Sequence, residues 1–167
     1  MDLTPYIRWI IFAHVLGAFV FAAGHGVSLF VAFRIRRERD RARLGALLDL
    51  SQGALIAAYV ALLVLLIAGI LAGIVLGSFG RAWIWVSLVA LIGIAVAMTP
   101  LGIGYFNSVR VAIGQRTRDL KESDPDPVPV SEAELATVLS SNRPEQLLLI
   151  GGTGFILIVW LMMFRPF

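Results

Sequence analysis

Residues 53–78 read GALIAAYVALLVLLIAGILAGIVLGS, a run without a charged side chain. An α-helix needs only about 20 apolar residues to cross the ~30 Å hydrocarbon core of a membrane. Apolar runs of similar character occupy residues 9–33, 82–107 and 146–164. Because backbone polar groups that face lipid must be paired internally, each run is predicted to form a transmembrane helix. The predicted fold class is all-α: an integral membrane four-helix bundle in a single domain, 1–167.

The overall composition agrees with this interpretation. Hydrophobic residues make up 59% of the chain and charged residues 15%, and the mean hydropathy is +0.87. Soluble domains carry about 25% charged residues. The absence of cysteine excludes disulfides, thiolate metal sites and cysteine nucleophiles. No catalytic constellation is recognisable in the sequence, so we expect a non-catalytic protein.

The basic residues are distributed asymmetrically about the predicted helices. The two loops on one side of the predicted helices contain most of them, including Arg34, Arg36, Arg37, Arg39, Arg41, Arg43, Arg110, Arg116, Arg118 and Lys121. The other side offers Arg8, Arg81 and Arg165. The positive-inside rule places loops 34–52 and 108–145 in the cytoplasm and both termini on the non-cytoplasmic side. The basic charge is explained by topology, and we expect no nucleic-acid partner.

The segment after the first run reads RIRRERDRAR, residues 34–43. We expect it to continue the first helix by about two turns, with Glu38 and Asp40 paired to arginines three or four positions away. Two interpretations of its function stay open. The favoured one is a topogenic collar that faces lipid headgroups. The other is a docking surface for an acidic partner or an anionic lipid.

Small residues recur every four positions in the apolar runs. The second run contains Gly69, Gly73 and Gly77, and the first contains the pairs Ala13–Gly17 and Gly24–Ser28. In lipid, small residues on one helix face let two backbones approach closely. We therefore predict helix-packing faces at these glycines, whether the partner helix is internal or belongs to another subunit. The second and third helices are expected to be antiparallel neighbours because their connection is short.

The long loop contains two local signals. Residues 124–129 read DPDPVP, and prolines at this density predict extended backbone. Ser131 and Glu134 form a Ser-x-x-Glu capping box that predicts the start of a short helix. Its apolar face is expected to rest on the bundle or on the membrane surface, and comprises Leu135, Val138 and Leu139.

His14 and His25 are the only histidines, and both fall in the first apolar run. Eleven residues correspond to slightly more than three helical turns, so both imidazoles share one face and lie ~16.5 Å apart along the axis. They cannot ligate one iron together, and one His supplies too few ligands for a zinc or copper site. Three interpretations remain: hydrogen-bonded structural histidines, which we favour; axial ligands of haem or bacteriochlorophyll; and a proton relay.

The first run has a familiar pattern. Residues 11–18 read IFAHVLGA, followed by Gly24 and the basic segment 34–43. This pattern resembles small bacterial four-span membrane proteins of unknown function, which look related to the copper-resistance-D-like group. The resemblance implies a multi-pass protein of the bacterial cytoplasmic (inner) membrane, with His14 at the family-like position.

The leading functional hypothesis is an accessory or scaffolding subunit that packs against other membrane helices in a larger complex. Its expected partners are the lipid bilayer and other membrane subunits or further copies of the chain. The alternative is a subunit of a respiratory or photosynthetic complex that binds a tetrapyrrole, haem b or bacteriochlorophyll, through His14 or His25.

Overall fold

The computed structural model describes residues 2–121 and 123–167, and this part of the chain is helical and contains no strand. The helices are α1 (Ile7–Ile35), α2 (Arg41–Val75), α3 (Ala82–Ala112), α4 (Glu132–Leu139) and α5 (Arg143–Phe164). Single 3-10 turns occupy Thr4–Tyr6 and Ser78–Gly80. The predicted all-α class is confirmed. α1, α2, α3 and α5 are each long and apolar enough to cross a membrane.

The long helices associate as two antiparallel hairpins. α1 packs along α2, and α3 packs along α5, whereas α2 and α3 touch sparsely. The expectation that α2 and α3 are close neighbours is therefore wrong. Small residues explain the choice of partner, since Gly17 and Gly24 bring α1 against α2, and Gly151 and Gly154 bring α5 against α3.

The hydrophobic core lies at the end of the molecule that carries the basic loops. It draws on α1, α2, α3 and α4 and consists of Val31, Ala32, Ile35, Leu44, Leu48, Tyr105, Val109, Ala112, Ile113, Leu135 and Leu139. The two hairpins are joined here. The Tyr105 hydroxyl of α3 donates to the carbonyl of Ala32 on α1 at 3.5 Å, and Arg36 pairs with Glu145 of α5.

The basic segment does not extend α1. The helix ends at Ile35, and α2 begins at Arg41 after a short turn. The Asp40 carboxylate accepts hydrogen bonds from two backbone N–H groups in the first turn of α2, which is the usual geometry of a helix N-cap. The predicted continuation of the first helix is therefore wrong, and most of the predicted loop 34–52 belongs to α2.

The ion pairs expected in this segment are present, and each joins a carboxylate of the turn to an arginine of a flanking helix. Arg34 contacts Glu38 at 3.1 Å, and Arg43 lies 4.0 Å from Asp40. The Glu38 carboxylate also accepts from the backbone N–H of Arg39 at 3.0 Å and of Asp40 at 3.2 Å. These backbone hydrogen bonds hold the pKa of Glu38 below its usual value, with Arg34 and Arg43 as weaker electrostatic contributors.

The long loop is tied to the bundle. Ser131 and Glu134 form the predicted capping box at the start of α4. Leu135 and Leu139 are buried, and Val138 packs against the same core, so the apolar face of α4 rests on the bundle. Before α5, the N-cap residue Asn142 makes no side-chain capping hydrogen bond, and Glu145 pairs with Arg36.

Candidate functional site: the histidine face of α1

His14 is part of the interface between α1 and α2. Its Nδ1 lies 2.9 Å from the carbonyl oxygen of Leu65. The ring rests over Gly69, where a Cβ would come within 2.9 Å of Nδ1. A carbonyl oxygen only accepts hydrogen bonds, so Nδ1 carries the proton and donates it. In a neutral imidazole the lone pair then lies on the other ring nitrogen, Nε2.

His25 is held differently, by its own helix. Its Nδ1 lies 3.3 Å from the carbonyl oxygen of Phe21, one turn earlier. The imidazole also packs on the Phe21 ring, with 4.3 Å between the ring centroids. Both histidines are half-buried, and neither contacts the other's partner. The structure therefore gives each imidazole a separate environment and does not assemble them into one site.

The space beside His25 is unequal on its two sides. A Cβ at Gly24 would lie 2.6 Å from the Ala54 carbonyl oxygen and 2.8 Å from the Ala58 Cβ. A Cβ at Gly26 would have no heavy atom within 4 Å. The space beside His25 is thus occupied by α2 at Gly24 and open at Gly26.

The other candidate packing glycines have distinct surroundings. Gly17 lies against Ala61 and Leu65 of α2. Gly69 faces His14, and a Cβ at Gly73 would lie 2.9 Å from the ring of Phe79.

Gly77 departs from the predicted packing stripe. It lies beyond Val75, the last residue of α2, with φ +60° and no heavy atom within 4 Å of a built Cβ. Its role is to end the helix in the left-handed conformation that glycine adopts without steric cost. Of the three glycines in this stripe, only Gly69 therefore faces another long helix, because Gly73 packs against Phe79 in the turn that follows α2.

One polar contact in this interface was missed from the sequence. The hydroxyls of Ser28 and Ser51 are 2.8 Å apart, and both side chains are buried between α1 and α2. Ser28 shares a face with Gly24, which was a usable signal. Ser51 lies outside the predicted span 53–78, so its partner could not be recognised.

The α1–α2 interface provides close helix packing, and each histidine of α1 offers one ring nitrogen as a ligand. Within residues 2–121 and 123–167, no three His, Asp or Glu side chains lie close enough together to hold a metal ion. The serine nearest to His25 along the chain, Ser28, bonds to Ser51 and not to an imidazole. His14, with its tautomer fixed by Leu65, is the side chain best arranged to donate a lone pair.

No protein-family model, curated protein or solved structure matches the chain. The relationship to the copper-resistance-D-like group therefore stays a hypothesis that rests on the first helix.

Proposed function

We propose that this protein is a non-catalytic accessory or scaffolding subunit that packs against the helices of a membrane complex. The observation that carries the proposal is the uncovered flank of α3. In its most apolar stretch 6% of the residues are buried, against 17–22% in the other candidate spans. Gly93 and Ala97 are both exposed, and a Cβ at Gly93 would meet nothing within 4 Å. Small residues four positions apart suit close approach of a second helix.

The test is affinity purification from native membranes with a bulky substitution on this flank. Gly93→Leu should lower recovery of the partner by about tenfold, as expected for a loss of ~1.4 kcal/mol at an interface. Gly26→Leu is the matched control, because Gly26 on α1 is equally open within the chain. Gly73 is unsuitable as a probe, since its substitution would disturb Phe79.

Three outcomes of this purification are informative. Recovery of other subunits, lost in Gly93→Leu and kept in Gly26→Leu, supports the proposal. Recovery of further copies of the chain alone identifies the partner as a homo-oligomer. A wild-type protein that purifies as a monomer from native membranes, or an equal loss in both variants, contradicts it.

We further propose the bacterial cytoplasmic membrane as its location, with both termini outside the cytoplasm. The orientation is supported by the excess of arginine in the two loops at the core end. The bacterial origin is supported by the resemblance of the first helix to small four-span proteins.

A second candidate function, tetrapyrrole binding, is favoured by the geometry of His14. A ligand histidine usually donates its other ring N–H to a carbonyl or carboxylate, which fixes its tautomer and orientation. The contact from Nδ1 to Leu65 has this form. A haem or bacteriochlorophyll needs only one axial ligand from this chain.

The reduced-minus-oxidised absorption spectrum of protein purified from its native membrane tests this second candidate. A Soret band lost in His14→Ala and kept in His25→Ala would assign the ligand to His14. A flat visible spectrum from folded protein would eliminate the candidate and leave the scaffold function.

A further inference from the structure

A cleft of about 540 Å³ lies where α1 ends and the chain turns toward α2. The described residues that line it are Phe30, Phe33, Arg34, Arg36 and Arg37. Its volume falls in the range of about 300–1,000 Å³ that is common for small-molecule sites. The phenylalanines form an apolar wall and the arginines form a cationic rim. The lining of the cleft therefore changes from apolar to basic along the axis of α1.

The arginines retain capacity for a further anion. Arg34 contacts Glu38, and Arg36 contacts Glu145. A guanidinium has five N–H donors, so one carboxylate contact leaves donors free on each of them. The Arg37 side chain has no carboxylate partner within the described part of the chain. The cleft therefore has a net positive charge.

The position of the cleft along α1 identifies the kind of anion. The apolar run of α1 ends at Phe33, and the charged residues begin at Arg34. In a membrane this boundary falls at the level of the lipid headgroups, where basic side chains meet phosphate. Phe30, with 68% of its surface exposed, lies on the hydrocarbon side.

We propose that this cleft binds one anionic phospholipid. Its phosphate lies against Arg34, Arg36 and Arg37, because one guanidinium can donate two parallel hydrogen bonds to two phosphate oxygens. Its glycerol and upper acyl chain cover Phe30 and Phe33. A zwitterionic lipid fits less well, because its headgroup cation would be repelled by the same arginines.

A topogenic collar is the competing explanation of these arginines. The positive-inside rule accounts for the number of basic residues near a helix end. It requires neither an aromatic wall nor a hollow beside them. If the arginines formed only a collar, the affinity for anionic lipid would depend on total charge alone. If they line a binding site, that affinity depends more on Arg37 and Phe33 than on an arginine outside the cleft.

The experiment uses the full chain in mild detergent, titrated with phosphatidylglycerol or phosphatidylcholine and followed by native mass spectrometry. Phosphatidylglycerol should bind at one site and outcompete phosphatidylcholine. Arg37→Gln should weaken phosphatidylglycerol binding about fivefold, since a basic residue near an anionic headgroup contributes on the order of 1 kcal/mol. Arg43→Gln is the control: its side chain is 74% exposed, and it does not line the cleft.

A second pair of measurements separates a lipid from a free anion. Phe33→Ala should weaken phosphatidylglycerol binding, and inorganic phosphate should not displace the lipid. Equal binding of both lipids, equal effects of Arg37→Gln and Arg43→Gln, or displacement by millimolar phosphate would each overturn the proposal. Circular dichroism of every variant ensures that only folded protein is compared.

Discussion

At the scale of single residues, the two glycines around His25 make a sharp contrast. Gly24→Ala should destabilise the protein by about 1–3 kcal/mol, because its Cβ would meet backbone of α2 that cannot move aside. Gly26→Ala should be neutral or slightly stabilising, since its Cβ has open space and alanine is the better helix former. Unfolding in mixed detergent micelles, followed by circular dichroism, measures both. Equal stabilities for the two variants would contradict the tight α1–α2 contact.

Residue types indicated which positions pack closely, but not what they pack against. Small-residue spacing in the first run predicted close approach at Gly17 and Gly24, and both glycines lie against α2. The same spacing in the second run included Gly77, which ends a helix instead. The difference depends on where α2 stops. Gly-containing turns and Gly-containing packing faces have the same local composition, so spacing alone could not distinguish them.

At the scale of elements, the turn between α1 and α2 predicts a dependence on pH. Backbone N–H groups stabilise ionised Glu38, so its folded pKa lies below the ordinary value of 4.5. The resulting stability is fully present above that ordinary value and is lost as pH falls through the lowered folded pKa. Glu38→Gln should therefore flatten the loss of stability between about pH 6 and about pH 3. Denaturant unfolding across this range tests it, and an unchanged pH profile in Glu38→Gln would refute the role of this carboxylate.

The same turn shows that a charge pattern typical of a helix can also occur where a helix ends. Pairs such as Arg34–Glu38 have the i, i+4 spacing of a helix surface, and they form in the structure. The Glu38 and Asp40 carboxylates also bond to backbone N–H groups, which lets the chain leave one helix and begin the next. Side-chain spacing alone could not decide between these two uses. By contrast, the Ser131 capping box was predictable because all its partners lie within one turn.

Arg41 connects the start of α2 to the long loop, and its loss should free that loop. Its guanidinium donates to the Val130 carbonyl at 2.6 Å and to Glu132 at 2.8 Å. Arg41→Gln should speed cleavage in the proline-rich segment 124–129 about fivefold, measured with a protease that cuts on the N-terminal side of aspartate. This corresponds to ~1 kcal/mol, allowing for solvent screening of a side chain that is 29% exposed. Arg43→Gln, which removes only a 4.0 Å contact with Asp40, should leave the rate unchanged. A similar acceleration in both variants would mean that net charge, not the Arg41 contacts, controls the loop.

At the scale of the whole molecule, side-chain contacts hold the two hairpins together at one end. The buried core, the Arg36–Glu145 pair and the Arg41 contacts all lie at the end that carries the basic loops. The long helices could be predicted from hydropathy because each needs only its own sequence to satisfy its backbone. Their pairing could not, because lipid and apolar side chains solvate a helix almost equally. Contacts between specific small residues decide it, and their partners lie far away in the sequence.

The orientation proposed for this protein in a membrane rests on where its charges lie. The core end carries most of the arginines and should face the cytoplasm, so the turn between α2 and α3 should lie outside. The chain contains no cysteine, which makes single-cysteine labelling direct. Gly80→Cys in the outer turn should react with a membrane-impermeant maleimide in intact spheroplasts, because Gly80 is exposed with open space around it. Ser140→Cys, exposed at the end of α4, should react only after lysis. The reverse pattern would place the arginine-rich core end outside. It would also move the Arg37 cleft to the opposite leaflet, so this labelling result decides which leaflet's anionic lipids could reach the cleft.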